Sequence, residues 1–358
     1  MKTKEHVRPI TIFTPSFADE DGTNAQDLTV KEIVARLPPE LFRVIMISEG
    51  NPDPRIAARK NTKLLPYYKH GNMAHLSVRC LASSPDIYFY PRTGPLDQVL
   101  FGLRKKLRLR MAVVSHIVMV MNDVTGNGLI ARSVVEGDAV LANSAYVAQT
   151  VRQRFGVHAE TIYNGIDRRF FFPRDQPSSS YTSTPLTVLY AGSFQPRKRV
   201  EFVIEQAARR PDVKFRLVGR GETETACRKL ASNLRNVDFM GHLPPEKLGE
   251  EMRRSHVFLF PSILEGHPQV LGQATACGLP VVAMNVYRPE YVVQGETGFL
   301  AESDADLTQK LDVLLHDSAM RQSMASAAVR HARKFDWDRI TEQWMGVFRD
   351  VVAERQSS

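Results

Sequence analysis

The chain has 358 residues, 43% of them hydrophobic and 24% charged, and its 47 Lys and Arg against 39 Asp and Glu give a formal charge of +8. That length is too great for one average core, so two domains are expected, and the composition is that of ordinary globular protein. No apolar run reaches the roughly 18–20 residues that cross a bilayer, and the polar start Met1-Lys2-Thr3-Lys4-Glu5-His6 does not read as a secretory signal, which points to the cytosol. The three cysteines, Cys80, Cys227 and Cys277, form no C-x-x-C pair, so reduced thiols are expected rather than a disulfide framework or a Cys-rich zinc site. The positive charge favours phosphates or anionic lipid as partners. It carries no aromatic-rich basic motif, so nucleic acid is not expected.

Short apolar runs alternate with helix-period segments along the chain, the pattern of α/β units with parallel sheets. The first half predicts strands at Ile10–Phe13, Val44–Ile47, Leu64–Tyr67, Ile87–Tyr90, Met111–Ser115, Ala139–Ala142 and Thr161–Tyr163. Between the first two, Leu28, Ile33, Val34 and Leu37 mark an amphipathic helix, preceded by the turn Asp21-Gly22-Thr23-Asn24. Further on, Leu96, Val99, Leu100, Leu103 and Leu107 make a helical stripe whose end is crowded by Arg104, Lys105, Lys106, Arg108 and Arg110. Such a segment reads equally as a core helix with a solvated basic side and as a surface for an anionic membrane or an acceptor, for which Arg104, Lys105, Lys106 and Arg108 are the candidates.

The Pro- and Ser-rich stretch Pro173–Tyr181 interrupts the alternation and predicts an interdomain linker over 173–185. Strands then resume at Leu186–Ala191, Val213–Val218, Val237–Phe239, Val257–Phe260 and Pro280–Ala283. The chain therefore predicts two doubly wound domains, 1–172 and 186–335, with a cleft between them and ligands at the carboxyl ends of the strands. A last helix, from about Trp337 to Val352, carries Trp337, Ile340, Trp344, Val347 and Phe348 on one stripe within the closing segment 336–358.

The most informative stretch runs from Pro261-Ser262-Ile263-Leu264-Glu265-Gly266-His267-Pro268 to Gln273 and closes at Cys277-Gly278-Leu279-Pro280-Val281-Val282. It reads as strand, Gly-containing loop, helix opening near Pro268, and strand. A helix start beside such a loop gathers free N–H groups and the positive dipole end at one point, which suits a phosphate. Glu265 at the same point is placed to accept hydrogen bonds from sugar hydroxyls. Upstream, Gly192-Ser193-Phe194-Gln195-Pro196-Arg197-Lys198 sets a Gly turn and two cations between a strand and a helix. Gly219-Arg220-Gly221 and Gly241-His242 follow the next two strands, and His116 closes the strand Val113-Val114-Ser115.

These segments together resemble the retaining family 4 glycosyltransferases of GT-B fold, the glycosyl transferases group 1. The resemblance rests on Pro-Ser-x-x-Glu-Gly with its Glu-x7-Glu frame, on the Gly-x-x-x-x-x-Lys segment, and on Tyr163-Asn164-Gly165-Ile166-Asp167. It implies transfer of a sugar from a nucleoside-diphosphate sugar to a hydroxyl acceptor, which can be lipid-linked, with retention at the anomeric carbon and without a metal or other cofactor. It implies that Lys198 and Arg197 neutralise the diphosphate and that Glu265 and His116 hold the sugar. Donor contacts are then expected from Gly22, Ser193, Gly219, Gly241, His242, Gly266, His267, Val270, Leu271 and Gln273. The resemblance also implies that the tail crosses back onto the first domain. The chain departs from the family's motifs in that Ser193 stands where they have Arg, Arg199 where they have Gly, and Gln273 where they have the second Glu. An amide still donates and accepts hydrogen bonds but lacks the charge. These departures leave a second reading, a non-catalytic nucleotide-sugar-binding or membrane scaffold protein.

Overall fold

A computed structural model describes residues 8–20, 25–67, 72–91, 95–118, 137–173 and 185–357. Two compact units divide the chain, Met1–Asn164 together with Trp337–Ser358, and Gly165–Asp336. The first contains strands β1 (Ile10–Phe17), β2 (Phe42–Ser48), β3 (Thr62–Pro66), β4 (Ile87–Phe89), β5 (Ala112–Ile117), β6 (Ala139–Ala142) and β7 (Glu160–Thr161). They form one sheet in the order β3-β2-β1-β4-β5-β6-β7, parallel throughout. The second contains β8 (Thr187–Ala191), β9 (Lys214–Val218), β10 (Val237–Gly241), β11 (Val257–Phe260), β12 (Val281–Met284) and β13 (Gly298–Ala301). Their order is β10-β9-β8-β11-β12-β13, again parallel. Both orders grow outward from the first strand and then reverse, which is the doubly wound arrangement.

The helices of the first unit are α1 (Ala25–Arg36), α2 (Pro54–Ala57), α3 (Asn72–Ser83), α4 (Pro95–Leu107), α5 (Ala145–Phe155) and the terminal α12 (Trp337–Ser357). Alternate residues of its strands feed two cores, because neighbouring side chains on a strand point to opposite faces. Ile12, Val44, Ile87, Phe89 and Val114 pack with α1 and α12, whereas Phe13, Ile45, Tyr88 and Val113 pack with α3 and α4. In α1, Ile33 and Val34 are buried as the spacing predicts, but Leu28 lies exposed. The stripe of α12 buries Trp337, Ile340, Trp344, Phe348 and Val351 against the first sheet, so the tail does belong to the first unit.

The second unit holds α6 (Val200–Ala208), α7 (Glu224–Leu230), α8 (Pro245–Arg254), α9 (Gln269–Ala276), α10 (Asp304–His316) and α11 (Ser318–Ala332). Its upstream boundary lies earlier than the expected residue 172. Ile166 N–H bonds to the Phe335 carbonyl at 2.7 Å, Arg253 donates to the Phe170 carbonyl at 2.9 Å, and the Arg253 guanidinium stacks 3.9 Å from the Phe172 ring centroid. These contacts attach residues 165–173 to the second unit. Most of the expected linker lies outside the described residues. β13 has no counterpart among the predicted strands, since its apolar run is only Phe299-Leu300-Ala301; a Cβ on Gly298, its first residue, would lie 2.3 Å from the Val281 carbonyl oxygen, and only glycine permits that pairing.

Candidate functional site

β8 and β11 are neighbours at the point where the strand order of the second sheet reverses. Loops leaving two such strands diverge, and ligands of doubly wound sheets bind in the crevice between them. The loop after β8 passes through a single 3-10 turn, Pro196–Lys198, before α6. The loop after β11 runs from Pro261 to Pro268 and opens α9, whose first turn has no side-chain cap. Leu271 N–H already donates to the Pro268 carbonyl at 3.0 Å, so the positive helix end is offered through the N–H groups of Gln269 and Val270 before it. The two loops are tied together, with Ile263 N–H donating to the Arg197 carbonyl at 3.0 Å.

Three donors converge on one oxygen of Glu265. Lys198 Nζ lies 2.5 Å from Oε1, the Arg197 guanidinium 3.0 Å and the Ser262 hydroxyl 2.6 Å. Lys198 and Glu265 are only 8% and 7% exposed, so this is a buried ion pair with a second cation at its rim. Burial pushes the Lys198 ammonium below its usual pKa, while Glu265 opposes that shift and Arg197 adds to it. Arg197 is fixed further by donating to the Leu264 carbonyl at 2.8 Å, and the Lys198 ammonium sits 5.0 Å over the Phe260 ring centroid. Arg197 and Lys198 are thus brought to one point, as the sequence suggests. Glu265 is committed to those cations, not standing apart from them to await a sugar. The cluster can compensate an anion that displaces the carboxylate, and it can hand the carboxylate to hydroxyl groups when that happens.

The glycines of the phosphate loops have a first use in the fold. Gly219 has φ +133°, and a Cβ there would lie 1.9 Å from the Gly192 carbonyl oxygen; one on Gly221 would lie 2.4 Å from that of Phe194. The loops after β8 and β9 therefore pack backbone on backbone, stitched by Phe194 N–H to the Arg220 carbonyl at 2.8 Å. Gly241, at φ +66°, accepts from Gly219 N–H at 2.8 Å. Gly266 is buried in the loop beside Glu265, Ser193 is half-buried, and His242 is exposed. Arg199, which stands where the family has Gly, takes the left-handed conformation with φ 54° and pairs with Asp304 at 2.5 Å.

Several expected contacts face the core instead. His267 is stacked 3.9 Å from Tyr291, with Phe335 beside it, so only its backbone is available to a ligand. Leu271 is fully buried, whereas Val270 and Gln273 are half-exposed on α9. Two residues escaped sequence reasoning as site members. Ser262 is signalled in retrospect by its place three residues before Glu265. Tyr287, just after β12, has a buried hydroxyl with no hydrogen-bond partner among the described residues; burial first and then the Glu265 charge push its pKa far up. No periodicity marks it.

In the first unit, Gly22 lies outside the described residues. His116 sits in β5, only 4% exposed, with its ring centroid 5.0 Å from those of both Tyr90 and Trp344. Neither ring nitrogen has a hydrogen-bond partner among the described residues. Burial pushes its pKa down to about 3; the nearby Ile162 backbone opposes the shift without reaching hydrogen-bond geometry. This is a neutral, aromatic-packed histidine under α12, not one reaching for a substrate. The stripe of α4 divides: Leu96 and Leu100 enter the core, but Val99 and Leu107 are exposed. Arg104 is held by Asp138 at 2.6 Å, a carboxylate it shares with Arg355 at 2.5 Å, which removes it from a free basic face. Lys105, Lys106 and Arg108 remain exposed. Among the described residues, no helix is long and apolar enough to cross a membrane.

Comparison with known proteins places these features. The family described as Glycosyl transferases group 1 matches residues 172–331. The chain is 30% identical over 251 residues to a D-inositol 3-phosphate glycosyltransferase of Acidothermus cellulolyticus, covering 63% of this chain and 56% of that protein. It is 27% identical over 267 residues to an N-acetyl-alpha-D-glucosaminyl L-malate synthase of Bacillus anthracis, covering 69% of each. The match thus spans little more than half the length of the inositol phosphate enzyme. In fold it is similar to sucrose-phosphate synthase from Thermosynechococcus elongatus, with a TM-score of 0.76 at 18% identity over 97% of this chain and 100% of that one. Anabaena HepE in complex with UDP and glucose gives a TM-score of 0.75 at 17% identity over 96% and 100%. The chain thus has a GT-B fold of two doubly wound units, and its segment 172–331, which holds Lys198 and Glu265, matches the glycosyl transferases group 1.

Proposed function

We propose that this protein transfers a sugar from a nucleoside-diphosphate donor to a hydroxyl acceptor, with retention of anomeric configuration. The observation that carries the reading is the convergence of Lys198, Arg197 and Ser262 on Glu265 beside the uncapped start of α9. In this reading the donor diphosphate takes over Lys198 and Arg197, and the α9 N–H groups share its charge. Developing negative charge on the leaving group is then met by cations already in place, the preorganised stabilisation that lowers transfer barriers most. Glu265, released from the cations, accepts hydrogen bonds from the sugar. Ribose hydroxyls fall to Gln273. In this reading the two cations and the helix end take over the charge compensation that a metal would supply. The relatives act on acceptors as different as inositol phosphate, malate and, in a Corynebacterium glutamicum enzyme named for GDP-mannose, an acylated phosphatidylinositol mannoside. The proposed acceptor is accordingly left at a hydroxyl group. Exposed Val99 and Leu107 beside Lys105, Lys106 and Arg108 support peripheral contact with an anionic membrane.

A thermal-shift screen of UDP, GDP, ADP and TDP and their common sugars, with Lys198→Ala as control, tests the donor site. Stabilisation by one nucleotide that is lost in the variant supports the reading. Absence of any shift at millimolar ligand in a folded sample favours the scaffold reading that Ser193 and Gln273 suggest. Anomeric NMR of the product decides retention, and turnover in the presence of a chelator decides metal independence.

A further inference from the structure

At the amino ends of β1, β4 and β5, away from the loops that follow these strands, the first unit has a cavity of about 340 Å³. That volume falls within the range of small-molecule sites. Its apolar wall comes from Leu81, Leu109 and Val352, and its rim carries Arg8, Arg110 and Arg355. Two helices, α3 and α12, end here, and carbonyl-rich helix ends call for cations. Arg355, in the last turn of α12, answers that need and is also held by Asp138 at 2.5 Å. Arg8 and Arg110 are different, because both stand on loops before strands. Arg8 reaches Asp86 at 2.6 Å through a side chain that is 72% exposed, a solvent-screened pair that a better anion can displace. Arg110 is exposed and has no acidic partner among the described residues. Three guanidinium groups thus border a cavity that contains one carboxylate, Asp86.

We propose that this cavity binds an anionic amphiphile, with a phosphate head on Arg110 and Arg8 and an apolar body against Leu109, Leu81 and Val352. Arginine suits the head because its planar fork meets two phosphate oxygens at once. The site lies wholly in the first unit, so it is independent of the donor site around Glu265.

Calorimetric titration of the full chain with hexyl phosphate and with inorganic phosphate tests the proposal. A third arm measures sedimentation with vesicles of phosphatidylcholine and phosphatidylglycerol. Hexyl phosphate should bind about tenfold or more tighter than inorganic phosphate, because its methylenes leave water. Arg110→Glu should abolish that binding while leaving the unfolding temperature unchanged, and Leu109→Gln should narrow the gap between the two ligands. Equal affinity for both phosphates, no binding of either, or full binding by Arg110→Glu overturns the proposal. Capture by anionic vesicles with hexyl phosphate silent also overturns it and assigns the charge to a membrane surface instead.

Discussion

At the scale of single residues, Glu265 sets the balance of the site. It neutralises Lys198 and Arg197 in the free protein, so the diphosphate of the proposed donor has to compete with it. Glu265→Gln removes the competitor but leaves two cations side by side. We expect that variant to bind the nucleoside diphosphate several-fold tighter, to lose transfer, and to unfold at lower temperature. Unchanged or weaker nucleotide affinity would show that the carboxylate does not compete. Lys198→Met strips the carboxylate of its closest cation, and breaking a buried pair costs about 3–5 kcal/mol. Arg197 and Ser262 still hold Oε1, so we expect the lower end of that range, read from urea unfolding. Arg199 offers a separate test, because its left-handed backbone costs a side chain about 1–2 kcal/mol. Arg199→Gly relieves that strain but loses an exposed ion pair and gains unfolded-chain entropy. Its stability should stay within about 1 kcal/mol of the parent, whereas Arg199→Val, β-branched in the same conformation, should lose about 2 kcal/mol. Equal unfolding midpoints for the two variants would contradict the assigned strain.

At the scale of elements, the strands were the most legible feature, and the physical reason is burial. Runs such as Val257–Phe260 are enclosed on both faces and must be apolar throughout, so they stand out in any sequence. β13 did not, because an edge strand carries less apolar signal and here includes Gly298. Cation clusters were legible as a motif, but which acid they would meet was not, since Lys198 and Glu265 are 67 residues apart. His116 shows the opposite failure. Its position at a strand's carboxyl end suggested chemistry, but the residue that covers it, Trp344, comes from a helix more than two hundred positions later. That packing has a pH consequence. His116 is neutral in the fold with its pKa near 3, while in the unfolded chain it titrates near 6.5. Below about pH 6.5 the unfolded chain binds the extra proton, so stability present at neutral pH is lost as pH falls toward 3, at up to about 1.4 kcal/mol per pH unit. His116→Phe keeps the ring contacts without the proton and should flatten stability over that window. If both proteins lose stability in parallel between pH 6.5 and 4, His116 is not the group responsible.

At the scale of the whole molecule, the chain leaves the first unit at Asn164, builds the second, and returns at Trp337. The two units therefore differ in how they depend on the chain's end. Trp337, Ile340, Trp344, Phe348 and Val351 are all buried in the first unit's core, and full burial of such a side chain contributes about 1.5–3 kcal/mol. Five of them together amount to about 10 kcal/mol, comparable with the about 5–15 kcal/mol by which a domain is stable at all. A chain ending at Asp336 should consequently lose the first unit, seen as binding of a hydrophobic dye and disappearance of one thermal transition. The second unit draws its sheet, its core and the Lys198–Glu265 pair from Gly165–Asp336 alone. It should keep its own transition, and the nucleotide of the proposed donor should still raise it, while the proposed sugar transfer is lost. Loss of the nucleotide shift in that truncated protein, with the second transition intact, would mean that the donor site needs the first unit after all.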